Sequence, residues 1–348
     1  MKELRAGIIG VGGYGLAVLK ELDHNEVFKV QAIADRNREL AEDLAQQYDA
    51  QPYDDYRSLI VEENLDVLFL TLPTFLCPDC IRLAARENVH VFKESPLART
   101  LPEAMEMVKV MEKAGCHFHV GSPSRFSPGY LEAHQLLSKN KIGQVYLIRG
   151  EQFLNYQGSW EWRGDPVLAG GGVLLEMAYH LIDQIVWSFD LPESVFSLNT
   201  KFCAQRVVPP YRTEDTAILN MQFTDGATAN IVSSWMTGPQ KESLTFHGVE
   251  GAIEVTPGRI HLYDADNQTI KKVDYSVGHD WLISQQIRQF ADMLIDDQVK
   301  PISTAREHLA NVAVVESAYL SVRTGSPETL KVYGQLFDIR KENGNSPE

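Results

Sequence analysis

Three titratable residues, Glu176, His180 and Asp183, fall at i, i+4 and i+7 in a stretch of helical periodicity. With 3.6 residues per turn, side chains at those spacings share one narrow stripe. Leu174, Ala178, Leu181 and Ile185 line the opposite side. A histidine titrates near neutral pH, so it can take a proton from a hydroxyl and return it. A carboxylate one turn away can orient the imidazole or bind a second hydroxyl. The same pattern also reads as a solvated polar face, but Trp187 falls on the stripe and weighs against a face turned wholly to water.

A second constellation lies near the start of the chain. Gly10, Gly12 and Gly15 have the GxGxxG spacing, directly after an apolar run and before a helical segment. The first glycine allows a tight turn, the second lets backbone approach a pyrophosphate, and the third permits close helix packing. The helix start then offers unpaired amides and a positive dipole to the anion. The next apolar run ends at Asp35, about 20 residues beyond the last glycine, where a dinucleotide-binding fold places the acid that accepts from the adenosine ribose hydroxyls. Asp35 repels a 2′-phosphate and favours NAD, whereas Arg36 beside it could neutralise that phosphate and admit NADP. Gly13, Tyr14, Pro73, Thr74 and Glu94 complete the expected cofactor contacts.

The elements that must position these residues follow from the hydrophobic pattern. Residues 4–9, 27–34, 66–72, 89–92 and 116–120 read as strands, with helices at 15–22, 38–48, 78–87 and 102–114 between them. Right-handed crossovers turn that alternation into a Rossmann doubly wound parallel sheet with ligands at the carboxyl ends of its strands. After Gly121 the character changes. A helical stretch to about residue 139, a strand at 144–152 and an aromatic, Gly-rich loop lead to a helix at 173–189. Strand-like runs from 195 to 273, with a turn at Asp225 and Gly226, predict an antiparallel sheet, and helices at 280–295 and 304–323 follow. The expected fold class is α/β. The Rossmann domain spans residues 1–121, and an α+β domain with a large, mainly antiparallel open sheet spans 122–340. The last helix is expected to pack back on the first domain, and a polar tail follows Arg340.

Composition removes other classes. A formal charge of -15 repels a phosphate backbone, and no run of Lys and Arg supplies a patch to overcome it, so nucleic acid is not an expected partner. No apolar stretch approaches the ~20 residues that span a bilayer, and no signal-peptide pattern opens the chain, so a cytoplasmic location away from membranes is the expectation. Four cysteines are too few for a disulfide scaffold, and the Cys77/Cys80 pair lacks a second half-site, so no metal is expected.

The chain resembles the Gfo/Idh/MocA oxidoreductases, the glucose-fructose oxidoreductase and inositol dehydrogenase group, from Gly7 to about Leu330. The resemblance rests on the opening glycines, the strand end from Val91 to Ala98, Arg125 with Phe126, and Ile142 with Gly143. Above all it rests on the segment Trp162, Arg163, Gly164, Asp165, Pro166 through Gly170, Gly171, Gly172, Glu176, His180 and Asp183. It implies hydride transfer between a nicotinamide and a secondary alcohol or ketone of a sugar, inositol or related polyol, with His180 as acid/base and Glu176, where the family usually carries Asp, as its partner. Tyr156, Trp162, Arg163, Arg125 and Asp183 are the expected substrate contacts. It also implies a homodimer or homotetramer through the broad face of the second sheet. One departure stands at the centre of the chemistry: aligned on Glu94 and Pro96, Ser95 replaces the family's lysine. A hydroxyl can bond a substrate oxygen but brings no positive charge to a developing alkoxide. Lys93, two positions earlier, could compensate only by a longer reach. Cys77 and Pro123 stand where the family often has His and Asn. Two alternatives therefore accompany the dehydrogenase: a dinucleotide-binding protein without turnover, and an enzyme using bound NAD as an internal redox relay.

Overall fold

A computed structural model describes residues 3–296 and 298–330. The expected end of the second domain at residue 340, and the polar tail beyond it, lie outside the described residues. The chain divides into two compact units that are not consecutive in sequence. The first comprises the chain up to Ala98, Pro102–Phe126 and Gly278–Arg306; the second comprises Arg99–Leu101, Ser127–Val277 and the chain from Glu307.

The first stretch of chain runs β1 (Leu4–Ile9), α1 (Tyr14–Asp23), β2 (Phe28–Ala34), α2 (Arg38–Tyr48), β3 (Gln51–Tyr53), α3 (Tyr56–Glu62), β4 (Val67–Leu70), α4 (Cys77–Arg86), β5 (His90–Glu94), α5 (Leu101–Lys113), β6 (Phe118–Gly121) and α6 (Pro123–Phe126). The strands form one parallel sheet in the order β3-β2-β1-β4-β5-β6. Its chain order reverses between β1 and β4, the crevice where such sheets bind ligands. β3 and α3 escape the periodicity: β3 is three residues long, carries Pro52, and has no buried residue to mark it.

Following the second sheet, α10 (His279–Ile295) belongs to this first unit. Its Ile283, Ile287 and Phe290 lie on one stripe and join the core formed by Ile8, Leu19, Phe28 and Phe69. The Phe290 ring sits 6.0 Å from that of Phe69 and 5.7 Å from that of Phe92. The helix that returns to the first unit is therefore α10, and most of α11 (Ala305–Thr324) falls in the second.

The second unit contains α7 (Pro128–Ser138), β7 (Val145–Asn155), α8 (Pro166–Ala169), α9 (Tyr179–Ser188) and β8 (Ser194–Thr200). Strands β9 (Thr216–Gln222), β10 (Thr228–Ser234), β11 (Met236–Gly248), β12 (Gly251–Thr256), β13 (Arg259–Asp264) and β14 (Thr269–Asp274) follow, with β15 (Glu328–Thr329) after α11. They make one nine-stranded sheet, β14-β13-β12-β11-β7-β10-β9-β8-β15, antiparallel except where β10 lies parallel to β7. One face is core: along β9, Ala217, Leu219 and Met221 are buried while Ile218, Asn220 and Gln222 are exposed. Among the described residues, no helix is long and apolar enough to cross a membrane.

Candidate active site

In the first unit, the expected cofactor residues gather at the carboxyl ends of β1, β2, β4 and β5. Gly10 has φ +87°, and a Cβ there would come 2.9 Å from the Thr71 carbonyl oxygen. A Cβ on Gly15 would sit 1.8 Å from the Gly10 carbonyl oxygen, so only glycine lets α1 pack this close to β1. Around Gly12 and Gly13 a Cβ would meet nothing within 4 Å. α2 and α3 are capped by the side chains of Asn37 and Asp55, but α1 starts after Gly13 without a side-chain cap. Open space over uncapped amides is what a pyrophosphate requires, and these residues fit the cofactor.

Asp35 follows β2 and accepts from the Val11 amide at 2.9 Å through Oδ2 and from the Asn37 amide at 2.8 Å through Oδ1. Each oxygen retains a second lone pair for a ribose hydroxyl. Arg36 is exposed beside it, and Pro73 and buried Thr74 follow β4. Glu94 ends β5 with its carboxyl against Gly121. Burial pushes that carboxyl up to about 7, a rise that the nearby Tyr14 phenol and Lys93 only partly oppose.

Ser95 follows directly. Lys93 is 2 % exposed, and its Nζ donates to the carbonyls of Glu94 at 2.7 Å and Pro96 at 2.6 Å. Two of its three N–H groups thus hold the turn on which Ser95 sits. Arg125 is also buried, and its Nη1 donates to the Ile302 carbonyl at 2.7 Å.

In the second unit, the expected continuous helix at 173–189 is corrected: Leu174–Ala178 forms a π-helical turn before α9. Such a turn bonds i to i+5 and shifts the angular register, so the one-stripe reading does not carry through. Leu174, Ala178, Leu181 and Ile185 are buried as expected, but the three titratable residues part company.

Glu176 pairs with Arg163, whose Nε donates to Oε2 at 2.9 Å. Its Oε1 is buried and takes no hydrogen bond among the described residues. Burial raises the Glu176 carboxyl, with Arg163 pulling it down. His180 has Asp183, not Glu176, as its charged neighbour. Burial lowers the imidazole, and Asp183 opposes that. Asp183 itself is fully buried, and its Oδ1 accepts from Asn311 Nδ2 at 2.7 Å with His308 Nε2 at 3.8 Å. It therefore acts on His180 from within the core, and Trp187 stacks on His134 at 3.9 Å.

The aromatic loop is largely packed on itself. Trp160 stacks on Tyr211 at 4.0 Å and meets buried Trp235 edge-on at 5.2 Å, and the Tyr156 hydroxyl donates to the Ser159 carbonyl at 2.9 Å. Trp162 lies under the Arg163 guanidinium, 4.3 Å from its ring centre. Tyr211, Trp235, Glu214, His308 and Asn311 are absent from the sequence reading, because their partners are distant in the chain and no local spacing marks them. Among the described residues, no cluster of His, Cys, Asp and Glu could hold a metal.

Comparison with known proteins agrees with both units. Residues 4–122 match the oxidoreductase family with an NAD-binding Rossmann fold, and residues 130–254 match the GFO/IDH/MocA C-terminal domain. The uncharacterized oxidoreductase YrbE of Bacillus subtilis (strain 168) is 24% identical over 341 residues, 95% of this chain and 97% of its own. Levoglucosan dehydrogenase of Pseudarthrobacter phenanthrenivorans is 25% identical over 286 residues, 73% of each chain. A solved levoglucosan dehydrogenase in complex with NADH and levoglucosan shares the fold with a TM-score of 0.85 at 19% identity, covering 95% of this chain and 100% of that one. The glycine turn, its uncapped helix, Asp35 and the two domain matches lead to one conclusion: this chain belongs to the Gfo/Idh/MocA family of NAD-binding oxidoreductases.

Proposed function

We propose that the protein moves hydride between NAD and a secondary alcohol or ketone of a neutral sugar, inositol or related polyol. The observation that carries this reading is the presence, on consecutive turns of one helical segment, of a His180 imidazole that burial lowers and a Glu176 carboxyl whose buried Oε1 takes no hydrogen bond among the described residues. When bound, NAD supplies the hydride acceptor. Gly10, Gly12, Gly13, Tyr14, Gly15, Asp35, Pro73, Thr74 and Glu94 would hold it, and Asp35 favours NAD over NADP.

His180 takes the hydroxyl proton on an unprotonated ring nitrogen, and Asp183 behind it stabilises the imidazolium that results. Glu176 Oε1 accepts from a neighbouring hydroxyl. Arg163 is already neutralised by Glu176, which favours uncharged polyols over sugar acids. Ser95 contributes a hydroxyl in place of the family's cation, and Lys93 is engaged by two carbonyls. That engagement favours, as the second reading, a cofactor-binding protein without efficient turnover.

Assembly as a homodimer or homotetramer through the outward face of the second sheet is part of the proposal. Leu198 and Ile218, register partners on β8 and β9, are 57% and 36% exposed there, and light scattering of the purified chain tests it. Four free cysteines, two of them buried, suit a cytoplasmic protein.

The deciding experiment titrates NADH and NADPH by fluorescence, then follows nicotinamide absorbance while neutral sugars, inositols and sugar acids are added. Binding with a redox change on one neutral polyol supports the dehydrogenase. Binding with no change on any substrate supports the second reading, and absence of binding removes both.

A further inference from the structure

The start of the helix that carries Glu176 and His180 is held by a residue outside the catalytic set. Three consecutive amides end on Glu214: Gly172 N–H donates to its Oε1 at 2.9 Å, Val173 N–H to its backbone carbonyl at 3.1 Å, and Leu174 N–H to Oε1 at 3.0 Å. These are donors that a helix start leaves unsatisfied. Tyr319, on α11, donates its hydroxyl to the same Oε1 at 2.8 Å.

The approach is so close that a Cβ on Gly172 would sit 2.0 Å from the Glu214 carbonyl oxygen, and one on Gly171 would sit 1.9 Å from the Tyr319 hydroxyl. The residues just before Glu214 grip the other wall of the site. Thr213 Oγ1 donates to the Arg163 carbonyl at 2.8 Å, and the Arg212 amide to the Gly164 carbonyl at 2.8 Å. One short segment therefore ties the Arg163 loop to the turn from which Glu176 projects.

We propose that Glu214 is a positioning residue: with Tyr319 it fixes the π-helical turn against the Arg163 loop, so that Glu176 and His180 meet substrate in register. This rests on the roles proposed for Glu176 and His180, although the clamp itself can be read without them. Oriented groups lose on the order of a hundredfold in rate when displaced by about 1 Å, which sets the scale of effect.

The test compares Glu214→Ala, Glu214→Gln and Tyr319→Phe in the full chain by amide hydrogen exchange and by steady-state kinetics. Glu214→Ala should speed exchange at residues 172–174 and lower kcat on the order of a hundredfold, with NADH affinity unchanged. Glu214→Gln keeps the acceptor oxygen and should restore both exchange and most of the rate. Tyr319→Phe should show a smaller loss in the same direction, and it carries the test with Glu214→Gln if the alanine variant does not fold. Unchanged exchange at 172–174 overturns the clamp, and so does a Glu214→Ala protein that melts earlier but keeps kcat and KM. A wild-type protein with no turnover on any polyol removes the proposed reaction, and the exchange comparison still decides the clamp.

Discussion

Two glycine-rich turns precede two helices in this molecule, and in sequence they look alike. At Gly10–Gly15 the middle glycines face open space, and the helix that follows has no side-chain cap. At Gly170–Gly172 every glycine is pressed by protein: Arg99 at 2.5 Å from a notional Cβ on Gly170, Tyr319 at 1.9 Å and Glu214 at 2.0 Å from those on the next two. The first turn leaves its helix start without a side-chain cap, and the second spends its amides on its own chain. Glycine thus signals close approach without saying of what, and only the surrounding atoms decide between a binding turn and a structural one.

The largest effect should come from the helix beyond the second turn. His180→Ala should cut turnover by about 10²–10⁴-fold while fluorescence titration shows NADH affinity preserved, and equal loss of both would remove His180 from proton transfer. Next is a pH effect in the first unit. The Glu94 carboxyl, raised to about 7 from 4.5, keeps its proton in the folded state after the unfolded chain has released its own. Stability should therefore fall as pH rises from about 4.5 to 7, by up to about 3 kcal/mol. Glu94→Gln should flatten that slope in urea melts across the window, and parallel slopes for the two proteins would show that Glu94 is not the group responsible.

The turns themselves come third and fourth. Gly172→Ala forces a methyl against a backbone carbonyl and should cost about 1–3 kcal/mol, read as a lower urea midpoint. At Gly12 an added Cβ meets no protein atom within 4 Å and the backbone lies outside the left-handed region; Gly12→Val should melt like wild type but bind NADH about tenfold more weakly, ~1.4 kcal/mol. If Gly12→Val unfolds the protein, or Gly172→Ala leaves stability untouched, the contrast between the turns collapses. Smallest is Ser95→Lys, which returns the family's cation and should raise kcat on the productive polyol severalfold.

Much of the first unit was legible because its signals are local. The strand that leads into Asp35 and the helix at Arg38–Tyr48 follow from apolar runs and one acidic residue at the expected distance. The second unit was legible as helices and strands but less so as a site. Asp183 shared a helical stripe with His180 on paper, yet it bonds to Asn311, 128 residues away. The π-helical turn that breaks the stripe has no short-range signature, and Glu214 reaches Tyr319 across 105 residues. Arg125, expected as a substrate contact from the resemblance, bonds the Ile302 carbonyl through Nη1, 177 residues away, a partner that no local pattern marks. Long-range polar pairing is the information that periodicity lacks.

The return of α10 to the first unit has a consequence for synthesis. A ribosome that has released Phe126 must translate to Arg306 before that unit has all its pieces, a wait of about 10–40 seconds at 5–20 residues per second. Throughout that interval, the part of the core that Ile283, Ile287 and Phe290 complete lacks α10. Nascent chains stalled between these two points should expose that apolar surface to chaperones and proteases, and full-length chains should not.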